Sequence, residues 1–420
     1  MTRLTKAESR SGYTVSHGKE ALRDERQAWL DTCRPPDWEK IGKGAVMRIE
    51  AIDIYWVRLP LAFVWRTSYA DQHYTDTVLV RMESDGQHAW GESCPPYIPA
   101  YSAEHTVATF HTLREHMAPR IVGQDVESPR NLLDRIAFIK GNEFARAALD
   151  IGWWVLDAKR RGIPLHAALG GKGDRVPVGA DFGIQDSLDM LLEKIQGAID
   201  QGFPRIKLKF RPGWDLDMVE AVRSTFPDFT FHVDCNAAYT LADADLFRAL
   251  DRHHLAMIEQ PLADDGMSLI NHADLQKRIE TPICLDESAQ SLAHVQAAIR
   301  LGSCKVVNVK MARVGGLTAS RDIQALCAEH GIPCWVGGML ESAIGGAICA
   351  ELATLPNFTY PGDIFPSSYF YQHDIGKPEI VLSGRGEVST SQVPGIAQEP
   401  DADLLKQWTV EHASFRTPTG

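Results

Sequence analysis

Five stretches decide how this chain is read: Ile206-Lys207-Leu208-Lys209, Phe231-His232-Val233-Asp234, Met257-Ile258-Glu259, Ile283-Cys284-Leu285-Asp286 and Val306-Val307-Asn308-Val309-Lys310. Each is an apolar run closing on a charge, and the closing residues lie 25, 25, 27 and 24 positions apart. A short strand, a helix and their loops fill such a step, so each is one βα unit. Further strands are expected at 176–181, 334–337 and 358–363, with helices at 187–201, 242–251, 292–301 and 317–330. Eight strands alternating with helices predict an α/β fold, a (β/α)8-type barrel over residues 173–374. An open doubly wound sheet is the competing architecture, but the chain carries neither a GxGxxG nor a Walker A loop.

Before the barrel, residues 47–172 have a different texture. Strands are expected at 48–54, 77–81 and 89–92, with a turn at Asp85-Gly86, then helices at 102–116 and 143–161. This is an α+β unit. The tail, 375–420, offers a strand at Ile380-Val381-Leu382, a turn at Gly384 and a helix at 401–408. It is too small to fold alone and is expected to pack back on the α+β unit. Residues 1–46 are a polar extension, with one short helix expected at 19–33 before Pro35 and Pro36. They read as a flexible extension, or as residues ahead of a true start at Met47, with a partner-binding arm as the alternative.

The formal charge of −12 excludes a broad nucleic-acid surface, which needs a basic stripe against phosphates. No apolar run is long enough for a membrane helix, and the N-terminus lacks the apolar centre of a signal peptide. The eight cysteines are scattered, without a CxxC pair, which suits reduced thiols in a cytoplasmic protein. The expected partners are a small carboxylate substrate and further copies of the chain.

The C-terminal ends of barrel strands share one face, so the five charge-closed strands place Lys207, Lys209, Asp234, Glu259, Asp286 and Lys310 around one mouth. Isolated buried charges cost several kcal/mol each, so they must pair or hold a metal. A rim of salt bridges explains any one of them; recurrence at the same point of successive strands favours a site. Three carboxylates on adjacent strands suit Mg²⁺, with Mn²⁺ an alternative, whereas Zn²⁺ usually recruits His or Cys. Alternation turns Cys235 away, while Asn236 and Glu287 are placed to orient the ligands. The metal would stabilise the charge formed when a proton α to a carboxylate is removed. Lys207 and the metal are expected to lower the pKa of Lys209, and Arg313 that of Lys310. Lysines on opposite sides of the mouth can then serve the two faces of one carbon.

As a set, Lys207-Leu208-Lys209, Asp234-Cys235-Asn236, Ile258-Glu259-Gln260-Pro261, Leu285-Asp286-Glu287-Ser288 and the run from Lys310 to Gly316 resemble the muconate-lactonizing subgroup of the enolase superfamily. The resemblance runs from Met47 to the C-terminus and implies that the α+β unit and tail cap the barrel. Within the subgroup the sequence is most similar to o-succinylbenzoate synthases and N-succinylamino acid (N-acylamino acid) racemases, through stretches such as Arg211-Pro212-Gly213-Trp214-Asp215 and Gly337-Gly338-Met339-Leu340-Glu341-Ser342. That likeness implies Lys209 and Lys310 as the acid/base pair, Lys207 as an electrostatic helper, and Arg313 as a residue that favours racemization by tuning Lys310. Met339, Glu341, Ser342 and Asp181 are expected to touch the substrate or to support the residues that do, and a capping loop near Phe63 to Ser68 is expected to cover it. Two features depart from the family pattern. Ser342-Ala343-Ile344-Gly345-Gly346 replaces a Thr-Gly-Ile-Gly-Arg order, and Asp181 stands where a small or uncharged residue is expected. A catalytically dead scaffold, muconate cycloisomerization and syn-dehydration are the rival functions.

Overall fold

Asp85 and Gly86 both take positive φ, 48° and 71°, the combination that lets a two-residue turn follow the twist of its strands. They join Asp71–Ser84 to Gln87–Ser93 in an antiparallel hairpin, Ser84 opposite Gln87. Ala51–Arg66 pairs along the other edge of Asp71–Ser84. Outside it lies Thr409–Arg416, the last strand of the chain, which the sequence pattern did not reveal. The tail therefore finishes a sheet that the N-terminal half begins. In this computed structural model the described residues are 46–66 and 71–417; the extension at 1–45, with its expected helix at 19–33, lies outside them.

Helix Glu143–Arg160 is buried along most of its length because it meets this sheet on one side and the barrel helix Leu317–Glu329 on the other. The sheet contact needs a glycine at position 91. A Cβ on Gly91 would stand 2.6 Å from the Gly152 nitrogen, so only glycine lets strand and helix backbones come this close. The helix expected at 102–116 begins at Thr106 instead, because the Ser102 hydroxyl donates to the Glu104 carbonyl at 2.8 Å in a turn.

The second body is a parallel sheet of seven strands in sequence order: Ala180–Phe182, Ile206–Lys209, Phe231–Asp234, Ile258–Glu259, Ile283–Leu285, Val306–Val309 and Cys334–Val336. The eighth stave, 358–363, is no regular strand. It closes the ring through single parallel bridges, Cys334 with Phe358 and Val178 with Gly362. The stretch 176–181, read as one strand, is two. Arg175–Pro177 pairs antiparallel with the tail strand Glu387–Ser389, and Ala180–Phe182 enters the barrel. Gly179 marks the break, since a Cβ there would overlap the Arg205 side chain.

Repeated punctuation sets the outer helices. Ser187 and Ser291 cap Leu188–Gln201 and Leu292–Leu301, and Gly202 and Gly302, at φ 88° and 71°, end them. Inside the barrel, Met257, Cys284, Val306 and Trp335 form an apolar cluster backed by Tyr360. Met257 and Cys284 precede Glu259 and Asp286 by two residues, so alternation stacks the charged layer directly on this plug. Water is kept from the charges on that side.

Candidate active site

Strand register makes Lys209, Asp234 and Glu259 consecutive Cα partners. Lys209 Nζ donates to Asp234 Oδ2 at 2.7 Å and to Asn236 Oδ1 at 2.9 Å. Lys207 lies deeper, its Nζ 3.0 Å from Asp234 Oδ2, 2.9 Å from Glu259 Oε2 and 3.3 Å from Asp363 Oδ2. Across the mouth, Lys310 Nζ is 2.9 Å from Asp286 Oδ2. All six groups are buried, and opposite charges in contact are what make that burial tolerable. Burial works to raise the Asp234 carboxyl, but Lys207 and Lys209 outweigh it and hold it well below the usual carboxylate range.

The expected lowering of Lys310 is corrected by the structure. Burial does pull the ammonium down, but the field of Tyr101, Glu259 and Glu287 outweighs it and Lys310 is held above its ordinary value. Lys207 is raised in the same way, by Asp234, Asp363 and Glu259 against burial. Arg313 does not touch Lys310. Its Nη1 donates to Asp286 Oδ1 and, at 3.0 Å, to Tyr101 Oη, while Nη2 reaches the Asn308 carbonyl at 2.6 Å.

Around this floor stands a supporting layer. The Asn236 amide donates to Glu287 Oε1 at 3.1 Å, and its backbone N–H to Asp234 Oδ1 at 3.0 Å, so Asn236 and Glu287 do orient a carboxylate and Lys209. Sequence reasoning missed three more residues. Asn308 donates to Glu259 Oε1 at 2.7 Å; an amide inside an apolar strand was the available signal. Gln260 Oε1 accepts the N–H groups of Asp286 and Ser288, each at 3.1 Å, and ties two strand ends together. Tyr101, from the capping loops, donates to Asp286 Oδ1 at 2.7 Å and holds Lys310 Nζ 4.8 Å from its ring centroid. No local pattern marks it.

Above the floor is a cavity of about 210 Å³. Lys209, Lys310 and Asn236 line its base, and Asp181, Asp363 and Met339 its barrel side. Burial and neighbouring Asp363 push the Asp181 carboxyl up to about 7, against the pull of Arg205 and Lys207. Three residues expected at the substrate stand elsewhere. Glu341 turns beneath the loop, accepting the Met339 N–H at 2.8 Å. Ser342 caps helix Ala343–Ala353 and donates to Glu92 Oε2 at 2.6 Å, which also takes the Gly345 N–H at 2.7 Å. The departure at 342–346 thus serves a helix start held by a carboxylate from the capping sheet. Phe63 packs on Phe370, with ring centroids 5.9 Å apart, and the neighbouring Trp65 reaches the cavity in its place.

Among the described residues no three His, Cys, Asp or Glu side chains stand together as a metal cage; Lys207 and Lys310 lie in contact with Asp234, Glu259 and Asp286. The donor chemistry nevertheless fits a hard dication. Asp234, Glu259 and Asp286 are buried oxygen donors on adjacent strands, the ligand type a hard dication takes. Seven of the cysteines lie in the described residues, all buried and free, Cys235 among them. No helix among those residues is long and apolar enough to cross a membrane.

Comparison with known proteins agrees with this geometry. Residues 190–404 match the enolase C-terminal domain-like family, and residues 51–170 the N-terminal domain of mandelate racemase and muconate lactonizing enzymes. An o-succinylbenzoate synthase from Geobacillus kaustophilus is 41% identical over 364 residues, 86% of this chain and 96% of its own. An N-succinylamino acid racemase from Amycolatopsis is 39% identical over 366 residues, 86% of this chain and 98% of its own. The crystal structure of an enolase-superfamily member from Listeria innocua superposes with a TM-score of 0.84 at 33% identity, covering 88% of this chain and 99% of that one. Members of this family generally use Mg²⁺. With both family domains matched and the lysine and carboxylate ladder in place, the chain belongs to the enolase superfamily and is an enzyme of its isomerase and lyase kind.

Proposed function

We propose that this enzyme moves a proton at the carbon next to a substrate carboxylate, racemizing or epimerizing an N-acylated amino acid. One observation carries the reading: Lys209 and Lys310, from strands two and six, line the same cavity from opposite sides. A carbon held between them meets one amine on each face. Lys209 as the free amine takes the α-proton, and Lys310 as ammonium returns one from the other face; the reverse reaction exchanges the roles. Asp234, Glu259 and Asp286 would hold a divalent cation, which when bound lowers the electrostatic cost of carbanion formation beside a carboxylate. Lys207 stays charged beneath and keeps the acids ionised.

A second reading is syn-dehydration to o-succinylbenzoate, in which Lys209 alone shuttles the proton. The ion pair of Lys310 with Asp286 at 2.9 Å supports it, since it holds Lys310 as a standing cation, and relatives of both names are about equally similar. The test is exchange in D₂O with Mg²⁺ present. Racemization predicts deuterium at the α-carbon of both enantiomers of an acylamino acid. Conversion of the dehydration substrate with no exchange into any acylamino acid would reject it.

A further inference from the structure

Asp181 lines the cavity, and the proposed reaction gives it no part. It is the middle residue of the first barrel strand, 6% exposed, and faces the cavity. Its backbone is fixed, because the Tyr369 hydroxyl donates to the Asp181 carbonyl at 2.7 Å. Its side chain is held from behind. Arg205 Nη1 donates to Asp181 Oδ1 at 2.6 Å, and Nη2 to Asp363 Oδ1. Arg205 is fully buried, its guanidinium 5.3 Å from the Trp335 ring centroid, in the space that Gly179 leaves by lacking a Cβ.

The consequence is an asymmetric wall. Charge is balanced in the network, but the balancing guanidinium is sealed behind the strand. Lys207, the other cation, is committed to Asp234, Glu259 and Asp363, and comes no nearer to Asp181 Oδ2 than 4.0 Å. Among the described residues Asp181 Oδ2 accepts no hydrogen bond. A substrate arm over strands one and eight therefore meets carboxylate oxygens of Asp181 and Asp363. The facing wall, from the capping sheet and its loops, is mixed: Tyr97 and Ile98 are substantially exposed, His73 lies beside them, and the two carboxylates there, Asp71 and Asp76, are paired with Arg66 and Arg58. An anionic arm on the barrel side would be desolvated against like charge, whereas an ammonium or guanidinium would find an unfilled acceptor.

We propose that Asp181 is a specificity-determining residue, which makes the barrel-side wall a site for a basic arm, an amine or guanidine, and turns a second carboxylate away from it. This rests on the acylamino acid reading above. The other arm then lies on the capping wall. The preferred substrates are acylated basic amino acids, or acylated amino acids whose acyl group ends in an amine.

The experiment compares N-acetyl derivatives of lysine, arginine, norleucine and glutamate on the Mg²⁺-loaded wild-type enzyme, by α-deuterium exchange and by calorimetric binding. The basic compounds should exceed norleucine in kcat/KM by about tenfold or more, and glutamate should fall below it. Asp181→Asn and Asp181→Ser should bring the four together, mainly through KM. If the wild type exchanges all four without preference for charge, or if both folded variants keep the basic preference, the assignment to Asp181 is wrong while the reaction stands. If no acylamino acid exchanges or binds, the reaction itself is wrong and the specificity falls with it. Should Asp181→Asn fail to fold, the wild-type ranking alone still decides against or for a basic arm.

Discussion

The floor of the cavity and its walls are built on different plans. The floor comes from successive strands, each adding a charge one repeat after the last, with three carboxylates in a row flanked by lysines so that each buried charge has a partner in contact. The walls come from places far apart in sequence: strand one, the irregular eighth stave, and loops of the capping sheet. The floor is symmetric in charge and serves a reaction common to many substrates. The walls are less regular, with Asp181 and Asp363 on the barrel side and a mix of aromatic, apolar and polar groups on the cap side.

The largest expected effect breaks the floor. Lys209→Ala and Lys310→Ala should each lower racemization by roughly 10² to 10⁴, the worth of a positioned acid or base, read as enantiomer interconversion by polarimetry. Full activity in either variant would remove the two-base assignment. Loss in Lys209→Ala alone would favour the dehydration reading.

Next comes the anchor of the acidic wall. Arg205→Met leaves Asp181 and Asp363 buried without their guanidinium, and breaking such a pair costs about 3–5 kcal/mol. Denaturant midpoints should show it. Adding Asp181→Asn to that variant should recover part of the loss, whereas a loss unchanged in the double variant would mean that Arg205 acts through packing alone.

His272 tests how the floor is propped from behind. It is buried, accepts the Leu262 N–H at 3.3 Å, and meets Ser268, whose hydroxyl is 2.6 Å from that of Ser288. Burial pushes its pKa down to about 4, outweighing the Ser268 carbonyl and Asp265, from an ordinary 6.5. Between those values the unfolded chain binds a proton that the folded one does not. Stability attributable to this group is therefore intact above pH 6.5 and falls as pH drops through 6.5 towards 4, by at most about 3 kcal/mol. His272→Gln should flatten the acid limb of the stability profile over that window. An unaltered limb would place the acid sensitivity elsewhere.

The smallest effect sits where cap meets floor. Tyr101→Phe removes a hydrogen bond to Asp286 and an acceptor for Arg313 while keeping the ring over Lys310. A cost of about 1–2 kcal/mol in kcat/KM is expected. Tyr101→Leu, which also removes the ring, should cost more; equal losses would deny the ring a part.

Much of the floor is legible in the chain itself, since Lys207, Lys209, Asp234, Glu259, Asp286 and Lys310 each close an apolar strand and recur at one βα spacing. The barrel follows from the same period. The last strand, Thr409–Arg416, escapes such a reading because its alternation is half-exposed and polar, with no local sign of the edge it completes. Ser342 is misread because its partner, Glu92, lies on another sheet. The direction of the Lys310 shift is misread as well, since the groups that raise it, Tyr101, Glu259 and Glu287, are brought to it by the fold and are not its neighbours in the chain.

By itself the sequence determined the repeat, and with it the order of charges around one mouth, because strand alternation and βα connection are local rules that act on neighbouring residues. Only the tertiary structure decided the walls: that Gly179 makes room for Arg205, that Arg205 stands behind Asp181, and that Tyr101 reaches Asp286 across the cap. Those contacts join segments that no period relates, so burial and charge pairing in the folded chain, and not any pattern along it, select them.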